Sequence, residues 1–395
     1  MSNPLRILWI ATKTPLPAVD GGRLLVVETL RALRDAGHAV TLVAPFPLGE
    51  PPSTELAGLC TPRLVPDPPR PAALDYLRAR LRRSPYTLER HRRPRLRAEV
   101  ERLLRSETFE LVHVEQLHAL AQAEPAWTAA APRPVVLRQQ NVESDLWAAL
   151  AGRGGLRGPL LGREAAALRR AEGVAVRRAA ATVALTERDA ARLRELGAGG
   201  GEVSCVRAPF PAMLAAGETA LPGAPALVLF GSDGWWPNRD QQRWFLDEVW
   251  PRVRARTPGA RLHVFGGAGT APGATFHPAP RESRAVFAPG AALVVPVRIA
   301  SGVRMKILEA WARGLPVVAT PEAIAGLDGR DGEAFLLAPG GEEFARAAAR
   351  LAAEPELARR LAAGGQRVLR ERHAPRAIAA ALEAVYRAAL AGARR

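Results

Sequence analysis

A chain of 395 residues with 48% hydrophobic and 24% charged residues has globular composition and suggests two domains, each able to bury a core. The formal net charge of +16 invites a polyanion, yet no RNA- or DNA-binding motif accompanies it, so no specific nucleic acid partner is expected. Cys60 and Cys205 lack any CxxC or CxxH partner, which excludes a disulfide framework or a zinc site of their own. The apolar runs are strand-sized and Met1 to Pro4 leads straight into one, so neither a membrane span nor a signal peptide is read. A cytoplasmic location is the expectation.

Taken in order, Leu5 to Ala11 is a buried strand, followed by a loop with Lys13 and the pair Gly21 and Gly22. The periodicity predicts a helix from about Leu24 to Asp35, stopped by Gly37, and then a second strand, AVTLVAP. Gly49 to Pro71 is proline-rich and reads as a surface excursion. Arg70 to Arg105 carries twelve arginines against four acids, interleaved with leucines, which predicts one or two amphipathic helices with a basic face. That face is either simply solvated or docks on an anionic membrane.

Phe109 to Glu115 is a strand on which His113 and Glu115 share a side and whose end delivers Glu115, Gln116 and His118. His113 is either a hydrogen-bonded core residue or a catalytic one. The string PVVLRQQNVESDLW gives another strand and a turn, where Asn141 and Glu143 either orient substrate hydroxyls or cap the helix beginning near Ser144. Helices over Arg163 to Arg178 and Glu187 to Leu196 flank the strand ATVALT. Residues 208–225 have no period and four prolines, as a linker should. The expected division is therefore a domain over 1–207, that linker, a second domain over 226–373, and a helix over 374–395 crossing back to the first.

The second domain opens on strand, glycine loop, helix, strand, with Gly231 and Asn238 in the loop region. Trp235 and Trp236 either stack on a base or fill a wall. The densest signal is Ala291 to Leu327: a β-branched run, Ser301-Gly302, a helical pattern through Val303, Ile307, Leu308 and Trp311, a stop at Gly314 and Pro316, and another strand. This βαβ order places a helix N-terminus where an anion can sit. Ser301, Gly302, Val303, Arg304 and Lys306 stand there, with Glu309 one turn further in. Free N–H groups and two cations suit a diphosphate, and a carboxylate beyond suits the hydroxyls of a ribose. Lys13 and Lys306 are the chain's two lysines, and both fall in such loops.

The string SGVRMKILEAWARGLPVVAT, with GLDGRDGEAFLLA after it, resembles the donor-binding segment of retaining glycosyltransferases of family 4. The resemblance implies the GT-B fold, an α/β architecture of two doubly wound Rossmann-like domains facing an interdomain cleft. It implies transfer of a sugar from a nucleoside diphosphate sugar to an acceptor hydroxyl, on a glycan, a lipid or a small molecule, with no cofactor and no metal. Family members usually show Glu, seven residues, Glu here; Glu309 takes the second place and Ser301 the first. Donor-binding residues implied are Gly21, Gly22, Gly231, Asn238, Ser301, Gly302, Val303, Arg304, Lys306 and Glu309. His113, Glu115 and His118 are the catalytic candidates, and Lys13, Asn141 and Glu143 stand on the acceptor side. A peripheral place at the inner face of the membrane is compatible with this. A sugar-nucleotide epimerase and a catalytically silent nucleotide-binding scaffold remain alternatives.

Overall fold

The structure is a computed structural model that describes residues 3–47, 53–231, 236–280 and 282–393. The chain divides into two units, Met1–Pro209 with Pro375–Arg395, and Phe210–Ala374.

The first unit is built on seven parallel strands in the order β3-β2-β1-β4-β5-β6-β7. These are β1 Arg6–Ile10, β2 Ala39–Phe46, β3 Thr61–Pro66, β4 Leu111–Glu115, β5 Val135–Gln139, β6 Ala181–Ala184 and β7 Val203–Cys205. Both faces are covered, so the strands are apolar throughout. Ile7 and Trp9 point to the layer containing Val26 and Leu30 of helix Gly21–Asp35 and Leu382 and Tyr386 of helix Pro375–Gly392. Leu8 and Ile10 point to the opposite layer with Leu96, Val100 and Leu103 of helix Pro94–Ser106.

The second unit has six parallel strands in the order β10-β9-β8-β11-β12-β13. They are β8 Ala226–Phe230, β9 Arg261–Phe265, β10 Ala274–His277, β11 Ala291–Val295, β12 Val317–Ala319 and β13 Leu336–Leu337. One face packs Leu229, Val264 and Val294 against Trp250, Val253 and Phe344.

Four expectations change. Gly21 and Gly22 do not lie in a loop: the helix begins at Gly21, because the Asp20 carboxylate caps it by accepting from the Arg23 N–H at 2.9 Å. The stretch 53–71 is not merely an excursion, since β3 pairs with β2; its Pro62 and Pro66 are tolerated at the sheet edge, and residues 48–52 lie outside the described set. The basic segment forms three helices, Ala72–Arg82, Tyr86–Glu89 and Pro94–Ser106. Residues 210–225 belong to the second unit rather than to a free linker. The Phe210 N–H donates to the His373 carbonyl at 2.8 Å, the Leu214 N–H to Ala312 at 2.8 Å and the Gly217 N–H to Phe287 at 2.8 Å.

Candidate functional site

In each sheet the strand order reverses once, between β1 and β4 and between β8 and β11. Loops leaving adjacent strands there diverge to opposite faces and open a crevice at the carboxyl ends, the usual ligand position of doubly wound folds.

At the β8/β11 reversal stand seven of the expected donor residues: Lys306, Gly231, Asn238 and the turn Ser301, Gly302, Val303 and Arg304. The Lys306 ammonium, in the first turn of helix Met305–Ala312, donates to the carbonyl of Phe230, the last residue of β8, and lies 5.8 Å from the Phe230 ring centroid. Gly231 follows at once, and a Cβ there would meet Asn238 Cγ at 2.7 Å, so the bare backbone is what lets the Asn238 side chain lie against it. Gly302 holds a φ of +70°, where glycine is favoured, and turns the chain into that helix. Arg304 reaches back to the Ser301 carbonyl, and Val303 is buried. The loop is braced from outside: Arg298 grips Asp240 at 2.7 Å and lies over the Trp244 ring. Burial lowers the Lys306 pKa to about 7, and the Arg304 charge adds to the fall.

Glu309, 3% exposed, accepts from Ser283 Oγ at 2.5 Å and from Arg313 Nη2 at 2.8 Å. It is thus a preorganised carboxylate with neutralising partners. Trp236 opens helix Trp236–Trp244 and is half-buried, whereas Trp235 lies outside the described residues.

At the β1/β4 reversal the catalytic candidates are buried. His113 stacks on Trp9 with ring centroids 3.7 Å apart, and its Nδ1 is 2.9 Å from the Tyr386 hydroxyl. Burial pushes it down to about 4, so it is neutral near pH 7. Glu115 faces Arg138 across the β4/β5 register and accepts from Arg138 Nη2 at 2.6 Å, and from Gln140 Nε2 at 2.9 Å. Burial raises the Glu115 pKa, but the Arg138 charge and the His113 contact outweigh it and hold the carboxyl at about 2. Arg138 also donates to Thr29 Oγ1 at 2.8 Å. Glu115 is therefore an ionised member of a closed network that fixes the strand ends. Gly22 belongs to the same neighbourhood: its carbonyl accepts from Gln140 Nε2 at 3.4 Å.

His118 packs edge-on against His91 with centroids 4.8 Å apart, and burial, then the Lys13 charge, lowers it to about 4. Lys13 is exposed and pairs with Asp20 at 3.4 Å. Asn141 and Glu143 meet at 3.5 Å. The start of helix Glu143–Arg153 is capped from elsewhere, by Glu172, which accepts from the Glu143 N–H at 2.7 Å and from Ser144 Oγ at 2.5 Å. Burial raises Glu143 and Glu172 each to about 7.

Arg138, Arg313, Ser283 and Glu172 are additions to the expected set. A lone charge in the apolar string VVLRQ was a signal for Arg138, and the i,i+4 spacing from Glu309 was one for Arg313. Nothing local marks Ser283 or Glu172. Among the described residues, no group of three or more His, Cys, Asp and Glu side chains is gathered as a metal would require.

Two family models match the chain in succession: "Glycosyltransferase Family 4" over residues 19–207 and "Glycosyl transferases group 1" over residues 224–354. The chain belongs to glycosyltransferase family 4. Solved structures with a similar fold include the sucrose-phosphate synthase of Thermosynechococcus elongatus, 17% identical over 97% of this chain and 98% of that one, with a TM-score of 0.73. HepE of Anabaena, solved with UDP and glucose, is 15% identical over 96% and 98%, with a TM-score of 0.65. A glycosyltransferase of Rickettsia africae ESF-5 is 10% identical over 98% and 99%, with a TM-score of 0.63. No curated protein matches the sequence. The fold of this glycosyltransferase is GT-B, with two Rossmann-like domains. None of its described helices is long and apolar enough to cross a membrane.

Proposed function

We propose that the glycosyltransferase takes its sugar from a UDP-sugar and transfers it with retention, without metal, to an acceptor hydroxyl. The observation that carries this is the convergence of Lys306, Arg304, the Gly302 turn and Asn238 at the strand-order reversal of the second unit. Two cations and a helix N-terminus stabilise negative charge as it builds on a leaving diphosphate. Glu309, preoriented by Arg313 and Ser283, accepts from ribose hydroxyls. Uracil is favoured as the base because HepE, of like fold, was solved with UDP.

On this reading the acceptor hydroxyl attacks the anomeric carbon on the face the diphosphate leaves. The new carbon–oxygen bond forms as the bond to phosphate breaks, and the hydroxyl proton passes to a departing phosphate oxygen. Neutral His113 and the paired Glu115 hold the strand ends in place and take no part in that proton transfer. Lys13, His118, Asn141 and Glu143 line the acceptor side. The segment 70–105 is proposed to touch an anionic membrane, since Leu77 and Leu81 are 55% and 76% exposed on a basic helix. Failure to float with anionic vesicles would reject that contact.

The test is calorimetry with UDP, GDP, ADP and TDP and then their sugar conjugates, with no metal added. UDP is expected to bind selectively. Arg304→Ala or Glu309→Ala should weaken it tenfold or more, about 1.4 kcal/mol. Unchanged UDP affinity in both variants would overturn the donor site.

A further inference from the structure

Two adjoining cavities open on the first unit; both draw on the basic segment 70–105, and neither includes a residue of the donor or catalytic set. One, of about 210 Å³, is lined by Arg70, Arg78, Arg82, Arg92, Arg93 and Arg97. The other, of about 270 Å³, shares Arg70, Arg78 and Arg93 and is otherwise walled largely by Pro45, Val65, Pro66 and Leu96. Three carboxylates answer the six guanidinium groups. Glu89 pairs with Arg82 at 2.7 Å and Arg92 at 3.2 Å, Asp67 with Arg93 at 2.6 Å, and Asp75 with Arg70 at 3.5 Å and Arg78 at 3.8 Å.

Three positive charges are left over within one concavity. Their mutual repulsion costs free energy in the absence of an anion, and concave low-dielectric walls focus the potential they create. The Nε of Arg70 is buried and finds no acceptor among the described residues. The Arg70 pKa is lowered first by burial and then by the Arg93 charge, against the opposing pull of Asp75 and Asp67.

Position adds a second line of argument. Pro45 and Pro66 lie at the carboxyl ends of β2 and β3, so the cavities open on the side of the sheet where doubly wound folds bind ligands. The arginine cavity is also tied to the acceptor-side residues. The Arg93 N–H donates to Gln122 Oε1 at 3.3 Å, Gln122 Nε2 donates to the His91 carbonyl at 3.0 Å, and the His91 ring packs on His118.

We propose that this arginine-lined cavity binds the phosphate group of a phosphate ester, and that this ester is the acceptor. Planar guanidinium forks suit the oxygens of a phosphate monoester or diphosphate, and the adjoining apolar cavity suits a hydrophobic body attached to it. The acceptor half rests on the glycosyltransferase reading; the phosphate half does not.

The experiment is calorimetric titration of the full chain with decyl phosphate, inorganic phosphate and UDP. It is repeated on Arg78→Gln/Arg97→Gln and on Arg105→Gln/Arg359→Gln, which removes the same charge from exposed sites elsewhere. Decyl phosphate is expected to bind the native protein, to bind Arg78→Gln/Arg97→Gln at least tenfold more weakly, and to bind the second variant as it binds the native protein. Arg97 is exposed and Arg78 half-buried, so folding should survive, and an unchanged urea unfolding transition of the first unit reports that it has. If the decyl chain adds tenfold or more over inorganic phosphate, the source is a lipid phosphate; if it adds nothing, a water-soluble ester. Equal losses in the two variants, or no binding of decyl phosphate, would overturn the cavity. Competition between decyl phosphate and UDP would put the phosphate in the donor site and overturn the acceptor assignment. A protein that binds decyl phosphate but no UDP would sink the donor reading and leave the phosphate cavity standing.

Discussion

Arg138 is a charge in the middle of a sheet, tolerable because Glu115 lies directly across the register and Thr29 and Gln140 complete the hydrogen bonding. Removing one partner of such a pair leaves the other buried and uncompensated, which is worse than never having had either. Arg138→Leu is therefore expected to destabilise the first unit by about 3 kcal/mol or more, and Glu115→Gln combined with Arg138→Gln by less. Urea unfolding of both variants decides it; equal losses would show the pair is not acting as a pair. Lys306 gives a prediction about pH. Its free-state pKa of about 7 must rise when a diphosphate arrives, so binding takes up a proton above pH 7. UDP affinity should be flat below pH 7 and fall toward pH 9, by up to tenfold per unit. A flat profile in calorimetry would refute the role of that ammonium. The donor candidates were legible because the residues between Ser301 and Glu309 sit within three turns of one another, where spacing alone gives geometry. Glu172 was not, because it caps a helix beginning 29 residues earlier in the chain.

Helix Met305–Ala312 carries Lys306 and Glu309 on its way out of the loop and Trp311 on its buried side. Trp311 donates to the Ala334 carbonyl at 2.9 Å and is met by Gly365 of helix Pro355–Arg372, where a Cβ would stand 2.2 Å from the indole. Gly365→Ala is expected to cost about 2 kcal/mol by overpacking and to weaken UDP as the helix shifts. Gly152→Ala, whose Cβ meets nothing within 4 Å, should do neither. Melting and UDP titration of the two variants would show whether the helix is seated by that contact. At this scale the sequence was legible where period and stop signals agreed, as in the helix ending at Asp35 before Gly37. It misled where tertiary pairing overrode composition. Proline-rich β3 is a strand because it has a neighbour on one side, and the Gly-Gly pair is helical because Asp20 caps it.

Across the whole molecule, the two Rossmann-like units read from the residue patterns differ chiefly in how the chain visits them. The first unit is made of two separated stretches, and the second is contained between them. Helix Pro375–Gly392 supplies Ile378, Leu382, Val385, Tyr386 and Ala389 to the layer over β1 and helix Gly21–Asp35, and its Tyr386 hydroxyl meets His113. A chain ending at Ala374 should thus keep a folded second unit and lose the first, seen as loss of His113 and Trp9 environments by NMR with UDP binding by the remainder retained. Persistence of a native first unit would refute this. The same threading sets an order on synthesis from the ribosome. The second unit has all its residues before the first has its last helix, so the earlier-made half must wait, with the layer over β1 only partly covered by helix Gly21–Asp35, while the later-made half completes. Any chaperone that attends this chain would be expected to hold the beginning, not the end.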